Sequence, residues 1–154
     1  MTGSRFARQM ALPAIGREGQ RRLGESSALI VGCGALGSHT AEALARAGIG
    51  RLILVDRDLV AETNLHRVAL FTPPDLGRPK AEAAAEALHR LAPDVAIASH
   101  VAHLGPKLAA EVVPQVDVVL DGLDNLETRY LINDACVKHR VPWVYTAVLA
   151  THGM

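Results

Sequence analysis

An α/β domain built on a mostly parallel sheet flanked by helices is predicted by three features of the sequence. An all-apolar run, Ala28-Leu-Ile-Val31, feeds directly into the glycine loop GCGALG. Strand and helix patterns then alternate along the chain, as right-handed crossovers between parallel strands require. The 154 residues are 49% hydrophobic, which suits one compact core. Because the glycine loop sits at the first strand-to-helix turn, the expected fold is Rossmann-like.

The elements follow in order. Glu18 to Leu23 reads as a short polar helix within an N-terminal helical arm, residues 1–27, of a single domain spanning 1–154. Ala28 to Val31 is the first strand, apolar throughout, as a strand covered on both faces should be. Ala35 to Ala47 reads as a helix with Leu36, Ala43, Leu44 and Ala47 inward and Glu42 and Arg46 toward water. Gly48 and Gly50 bound its C-terminal turn, and Arg51 to Val55 makes the second strand. Pro79 to Leu91 is the next helix, with Ala83, Ala87, Leu88 and Leu91 apolar and Pro93 at its exit. Val95 to Val101 and Asp117 to Asp121 are strands, Leu126 to His139 a helix, and Val141 to Val144 a further strand with Pro142 near its start. The last residues, ATHGM, carry no pattern of a further element.

Composition removes several classes of function. Sixteen basic residues balance sixteen acidic ones, so there is no global attraction to nucleic acid or to a membrane surface. Cys33 and Cys136 are the only cysteines and form no CxxC pair, which leaves neither a disulfide scaffold nor a four-cysteine zinc site in this chain. The start lacks the apolar stretch of a signal peptide, and no segment reaches transmembrane length, so the cytoplasm is the expected compartment.

The glycine loop carries the first chemical expectation. Gly32 permits a tight turn, Gly34 lets a phosphate approach the backbone, and Gly37 permits close helix packing. Backbone N–H groups at the helix start, including those of Ala35 and Leu36, can meet phosphate without a formal positive charge. Asp56 closes the second strand, 24 residues beyond Gly32, where a carboxylate can receive ribose hydroxyls. Asp58, beyond the strand end, is the weaker alternative. These features alone leave NAD and ATP open. None of His100, His103, His139 and His152 sits in a recognised catalytic pattern.

Five further stretches are more specific. They are RQMALPAIGREGQRRL at Arg8 to Leu23, GCGALGS at Gly32 to Ser38, and LVDRDLVAETNLHR at Leu54 to Arg67. LGRPKAEAA at Leu76 to Ala84 and DGLDNLETRYLIND at Asp121 to Asp134 complete the series. In order and separation they resemble the bacterial ubiquitin-activating-like adenylyltransferases of the ThiF, MoeB and HesA type. The resemblance covers nearly all of this chain but only the nucleotide-binding portion of a usual family member.

That resemblance implies ATP and Mg2+ as cofactors. It implies adenylylation of the C-terminal Gly-Gly carboxylate of a ubiquitin-like sulfur-carrier protein, in thiamine or molybdopterin synthesis. Asn64 and Arg67 would contact phosphate groups, Lys80 would lie at the reacting phosphates, and Asp124 would help hold the metal. Arg8 would complete the ATP site of a neighbouring subunit, implying a homodimer. Asp121 and Arg129 are expected to stabilise the loop around Asp124. No cysteine here matches the family's downstream nucleophile, and Ala147 stands where the family commonly places a glycine. Because the chain ends before the family's usual C-terminal region, two alternatives accompany the enzyme reading. One is a homolog or fragment that binds ATP without completing turnover, and the other is an NAD-binding protein.

Overall fold

The computed structural model describes residues 5–154, and its sheet is parallel throughout. β1 (Ser27–Val31), β2 (Arg51–Asp56), β3 (Ala96–Val101), β4 (Val118–Asp121) and β5 (Trp143–Val144) lie in the order β3-β2-β1-β4-β5. The chain moves outward from β1 to β3, then crosses back to place β4 on the other side of β1. Val31 and Asp121 are register partners at the ends of β1 and β4, and that reversal of direction opens a crevice beyond them.

Successive residues of a strand point to opposite faces, and β1 shows how that builds two cores. Ala28 and Ile30, with Leu52 and Leu54 of β2, pack under α3 (Ala35–Ala47) and α4 (Lys80–Leu91). Leu29 and Val31, with Ile53 and Val55, pack under α5 (Pro106–Val112) and α6 (Leu126–His139). With both faces covered, all four residues from Ala28 to Val31 are buried.

Two helix faces differ from expectation. The buried residues of α3 are Gly37, Ser38, Ala41 and Ala45, whereas Ala43 is exposed and Leu36 and Leu44 are only partly covered. The helix lies too close to the sheet for large side chains along that line; a Cβ on Gly37 would stand 1.7 Å from the Gly32 carbonyl oxygen. In α4, Ala83, Ala87 and Leu88 are buried as expected, but Leu91 in the last turn is exposed.

Three stretches also depart from the expected pattern. α5 begins at Pro106, fills the crossover from β3 to β4 and continues as a 3-10 turn over Val113–Gln115. β5 spans only Trp143–Val144. β6 (Val148–Leu149) and β7 (His152–Gly153) form an antiparallel hairpin where no element was expected, its turn carrying Ala150 at φ 52°.

The N-terminal arm comprises α1 (Ala7–Met10) and α2 (Gly16–Glu25). It closes the C-terminal end of α3: the Gln9 and Gln20 side-chain amides both donate to the Ala47 carbonyl at 3.0 Å. No helix among the described residues is long and apolar enough to cross a membrane.

Candidate functional site

A cavity of about 890 Å³ opens where β1, β2 and β4 end and α3 and α6 begin. The glycine loop forms its floor. Gly32 has φ 89°, and a Cβ there would stand 2.9 Å from the Gly122 carbonyl oxygen. Gly122 is tightly placed in turn: its Cβ would lie 2.8 Å from Gly32 O, Gly37 Cα and Gly37 N. Gly32, Gly37 and Gly122 are therefore one packing unit joining the ends of β1 and β4 to α3. Gly37 lies beneath the cavity rather than on its wall.

Gly34 is different. It is the N-cap of α3 at φ −77°, and a Cβ added there would meet no atom within 4 Å. The fold does not require a glycine at this position, but a group approaching the helix N-terminus from the cavity would. No side chain caps α3. The first-turn N–H groups at Ala35 and Leu36 lie beyond the reach of intrahelical acceptors, and both residues line the cavity.

Asp56 ends β2 on the same wall with its carboxylate already engaged. Oδ2 accepts from Cys33 N at 2.6 Å and Oδ1 from Asp58 N at 2.7 Å. The local cap that a carboxylate can always make at such a turn is thus realised, and the side chain still lines the cavity. Cys33 is buried beside it, and burial, with the Asp56 charge second, pushes its thiol pKa far up, so it is no nucleophile.

Asp58 takes a larger part than its position in the sequence suggested. Its Oδ2 lies 3.0 Å from Lys80 Nζ, and its backbone carbonyl accepts from Lys80 N at 2.9 Å. A cation in the first turn of α4 is disfavoured by the helix dipole, and Asp58 offsets that cost. Lys80 is buried while Asp58 is half exposed, so the ammonium is held at the cavity by a counter-ion that water can reach.

Asn64 is buried in a short 3-10 turn with Oδ1 accepting from Ala61 N at 2.9 Å, which leaves its amide nitrogen as the donor available to the cavity. Arg67 is exposed on the rim, where Nη1 donates to Thr63 O at 2.5 Å. Among the described residues it has no carboxylate within ion-pair range, so its charge is the least neutralised on this wall.

The opposite wall is the turn from β4 into α6. Asp124 is exposed on it, and Asn125 caps α6, its Oδ1 accepting from Thr128 N at 3.0 Å. Behind it stands the buried pair Asp121–Arg129, at 2.8 Å. Burial raises the Asp121 pKa, against the Leu123 N–H and the Arg129 guanidinium, which hold it down. The guanidinium also donates to Leu123 O at 2.5 Å, Thr146 O at 2.9 Å and Tyr145 OH at 3.1 Å. Arg129 therefore holds the loop, and it lines the cavity as well.

Thr128 is an addition that sequence reasoning missed. Its hydroxyl is buried in the first turn of α6 without a hydrogen-bond partner, on a residue that lines the cavity. An unsatisfied buried hydroxyl costs on the order of 1–3 kcal/mol, which a bound polar group can recover. Gly122 was also missed, although a glycine directly after a strand is a visible signal.

Of the residues singled out from the sequence, Gly32, Gly34, Ala35, Leu36, Asp56, Asn64, Arg67, Lys80 and Asp124 come together on this cavity. Arg8 does not. It is exposed on α1, packed at the C-terminal end of α3, whereas the cavity lies at the N-terminal end, ~20 Å away along a helix of this length.

Comparison with known proteins adds three findings. The sequence profile described as the ThiF family matches residues 6–154. The chain is 42% identical over 149 residues to a sulfur carrier protein adenylyltransferase of Thermus thermophilus, covering 97% of this chain and 55% of that protein. It is 39% identical over 156 residues to the sulfur carrier protein ThiS adenylyltransferase of Bacillus subtilis, covering all of this chain and 46% of that one. Among solved structures, Escherichia coli MccB with ATP superposes with a TM-score of 0.84 at 26% identity, over 95% of this chain and 45% of MccB. The chain spans about a third to just over half the length of the curated relatives it matches.

Proposed function

This chain belongs to the ThiF family, and on that premise we propose that it binds ATP in the described cavity and adenylylates a protein carboxylate. The carboxylate is the Gly-Gly terminus of a ubiquitin-like sulfur carrier, and the compartment is the cytoplasm. Residues 1–154 act as one adenylation domain with residues 1–27 as an arm. The observation that carries this reading is Gly34: nothing in the fold lies within 4 Å of a Cβ added at this cavity-lining N-cap, so its bare backbone leaves the α3 N-terminus open to a phosphate.

The chemistry asks for three things. A carboxylate must reach the α-phosphate in line with the departing pyrophosphate, and two anions must be held together while it does so. The glycine-loop amides and the α3 N-terminus supply donors that carry no net charge. Lys80, fixed inward by Asp58, and Arg67, with no carboxylate partner, supply cations at the reacting end. Asp56 stands beside the ribose, its two oxygens keeping further lone pairs beyond the loop N–H groups they accept from.

The residues present also fit Mg2+. No three His, Cys, Asp or Glu side chains among the described residues cluster as a self-sufficient metal site. Mg2+ bound through one carboxylate plus substrate phosphates needs only Asp124. When bound, it neutralises phosphate charge at the bond being broken. The Thr128 hydroxyl and the Asn64 amide are polar groups on the same walls able to meet phosphate or its water.

A reading limited to nucleotide binding is favoured by one observation. The cavity's third wall, at Val148, Leu149 and Met154, is largely exposed apolar surface, at 58%, 77% and 75%. A carrier tail would need more than this hairpin to align it.

ATP binding should be measured by calorimetry with Mg2+ and with EDTA, NAD serving as the competing ligand. R67A and K80A should each weaken ATP binding by about tenfold or more while melting like the parent. Unchanged affinity in both variants, or a preference for NAD, would overturn the site assignment. Carrier-dependent ATP–pyrophosphate exchange by the 154-residue chain separates turnover from binding alone.

A further inference from the structure

One side chain ties the Asp124 wall of the cavity to the segment that follows β5. Arg129 is anchored by the buried Asp121 carboxylate. One nitrogen of its fork, Nη2, holds both Leu123 O, the residue before Asp124, and Thr146 O on the segment that follows β5. Its planar face lies on the Tyr145 ring, 4.6 Å from the centroid, and Tyr145 meets Trp143 edge-on at 5.7 Å. The Thr146 hydroxyl closes the figure by donating to the Asp121 carbonyl. A guanidinium is rigid, so a displacement of the Asp124 loop that keeps these hydrogen bonds carries the 145–147 segment with it.

We propose that Arg129 is a positioning residue that moves the Asp124 loop and the Tyr145–Ala147 wall as one body. Binding of the metal–nucleotide at Asp124 thereby sets the wall along which the acyl carboxylate arrives. The inference rests on the nucleotide reading above and deepens it, since it makes acceptor alignment depend on the metal. Arg129 lines the cavity, and its hydrogen bonds go to Asp121, Leu123, Tyr145 and Thr146. Its five interactions link three segments that separate in sequence, and the Thr146–Asp121 hydrogen bond fastens two of them directly as well.

Trp143 is the chain's single tryptophan and stands at the end of this relay, so its emission reports on the wall. In the parent protein, ATP with Mg2+ should shift Trp143 emission beyond the change that ATP gives in EDTA. Arg129→Lys keeps a cation for Asp121 but loses the fork and the stacking face. It should bind ATP in EDTA within about threefold of the parent and lose the metal-dependent emission step. Tyr145→Leu leaves the Asp121–Arg129 pair intact and decides the matter should the lysine variant not fold. It too should lose the step, read at saturating ATP. A metal-dependent step of parental size in either folded variant would overturn the relay alone. Failure of the parent to bind ATP would overturn the nucleotide reading and the relay with it.

Discussion

Glycines in one motif are kept for different reasons, and the structure separates them residue by residue. Gly37 serves packing, since any side chain there strikes the Gly32 carbonyl. Gly34 has open space around its missing Cβ and an ordinary φ of −77°. Gly34→Ala should therefore cost about 0.5–1 kcal/mol, the penalty of a poor N-cap, while reducing ATP affinity at least ~10-fold. Gly37→Ala should destabilise by more than ~3 kcal/mol, because α3 must lift off the sheet. Thermal melts alongside ATP titrations check both, and an alanine at 34 that leaves affinity untouched would remove the phosphate role of the loop. The motif's spacing made Gly32, Gly34, Gly37 and Asp56 legible, because their work is local to one strand–helix turn. Gly122, Thr128 and the reach of Arg129 were not legible in the same way. Their partners are Gly32, the cavity and Tyr145, and only the return of β4 beside β1 brings these together.

At the scale of elements, hydrophobic pattern located the long helices, the central strands and most of the face that α4 buries, but not the face of α3. The α3 stripe was misread because apolar size is a poor guide where a helix lies on backbone: Ser38 and Ala41 go inward and Ala43 outward. The β6–β7 hairpin escaped notice because its turn uses Ala150 at positive φ, where Gly or Asn would have signalled it. The joint between β1 and β4 carries a pH dependence of its own. Asp117 precedes β4, and its Oδ2 accepts from the Ser27 hydroxyl and the Ser27 N–H, both at 2.7 Å. Those bonds, the hydroxyl first, hold its pKa below the ordinary 3.8. A carboxylate depressed by folding contributes stability above the unfolded value and loses it as pH falls through the lower, folded one. Asp75, held down by the Thr72 hydroxyl, adds in the same direction. Denaturant midpoints measured from pH 5 downward should therefore fall for the parent, and fall less steeply for Asp117→Asn. Parallel curves for the two proteins would show that this joint does not titrate.

For the whole molecule, the decisive fact is the distance between Arg8 and the cavity. The arm that carries Arg8 is tied to the far end of α3 by Gln9 and Gln20, and Phe6 closes on Gly48 at the same end. A single copy cannot bend that arginine back to its own glycine loop without undoing the cap on Ala47. If Arg8 serves an ATP site, as the family resemblance implies, that site would have to belong to a second copy. Two sites that each borrow an arginine from the other make a symmetric pair with an isologous interface. Such a pair makes a prediction that no monomer can satisfy. R8A and R67A each damage every site in their own homodimers. In a mixed dimer, one site carries both defects and the other carries neither. Random re-pairing makes half the dimers mixed, so an equimolar mixture should regain about a quarter of the parental high-affinity ATP sites. The titration should be run after dissociating and re-associating the two proteins together, with each variant alone as the baseline. R8A alone binding as the parent does, with half the sites of the mixture staying high-affinity, would show that Arg8 serves no ATP site in either copy.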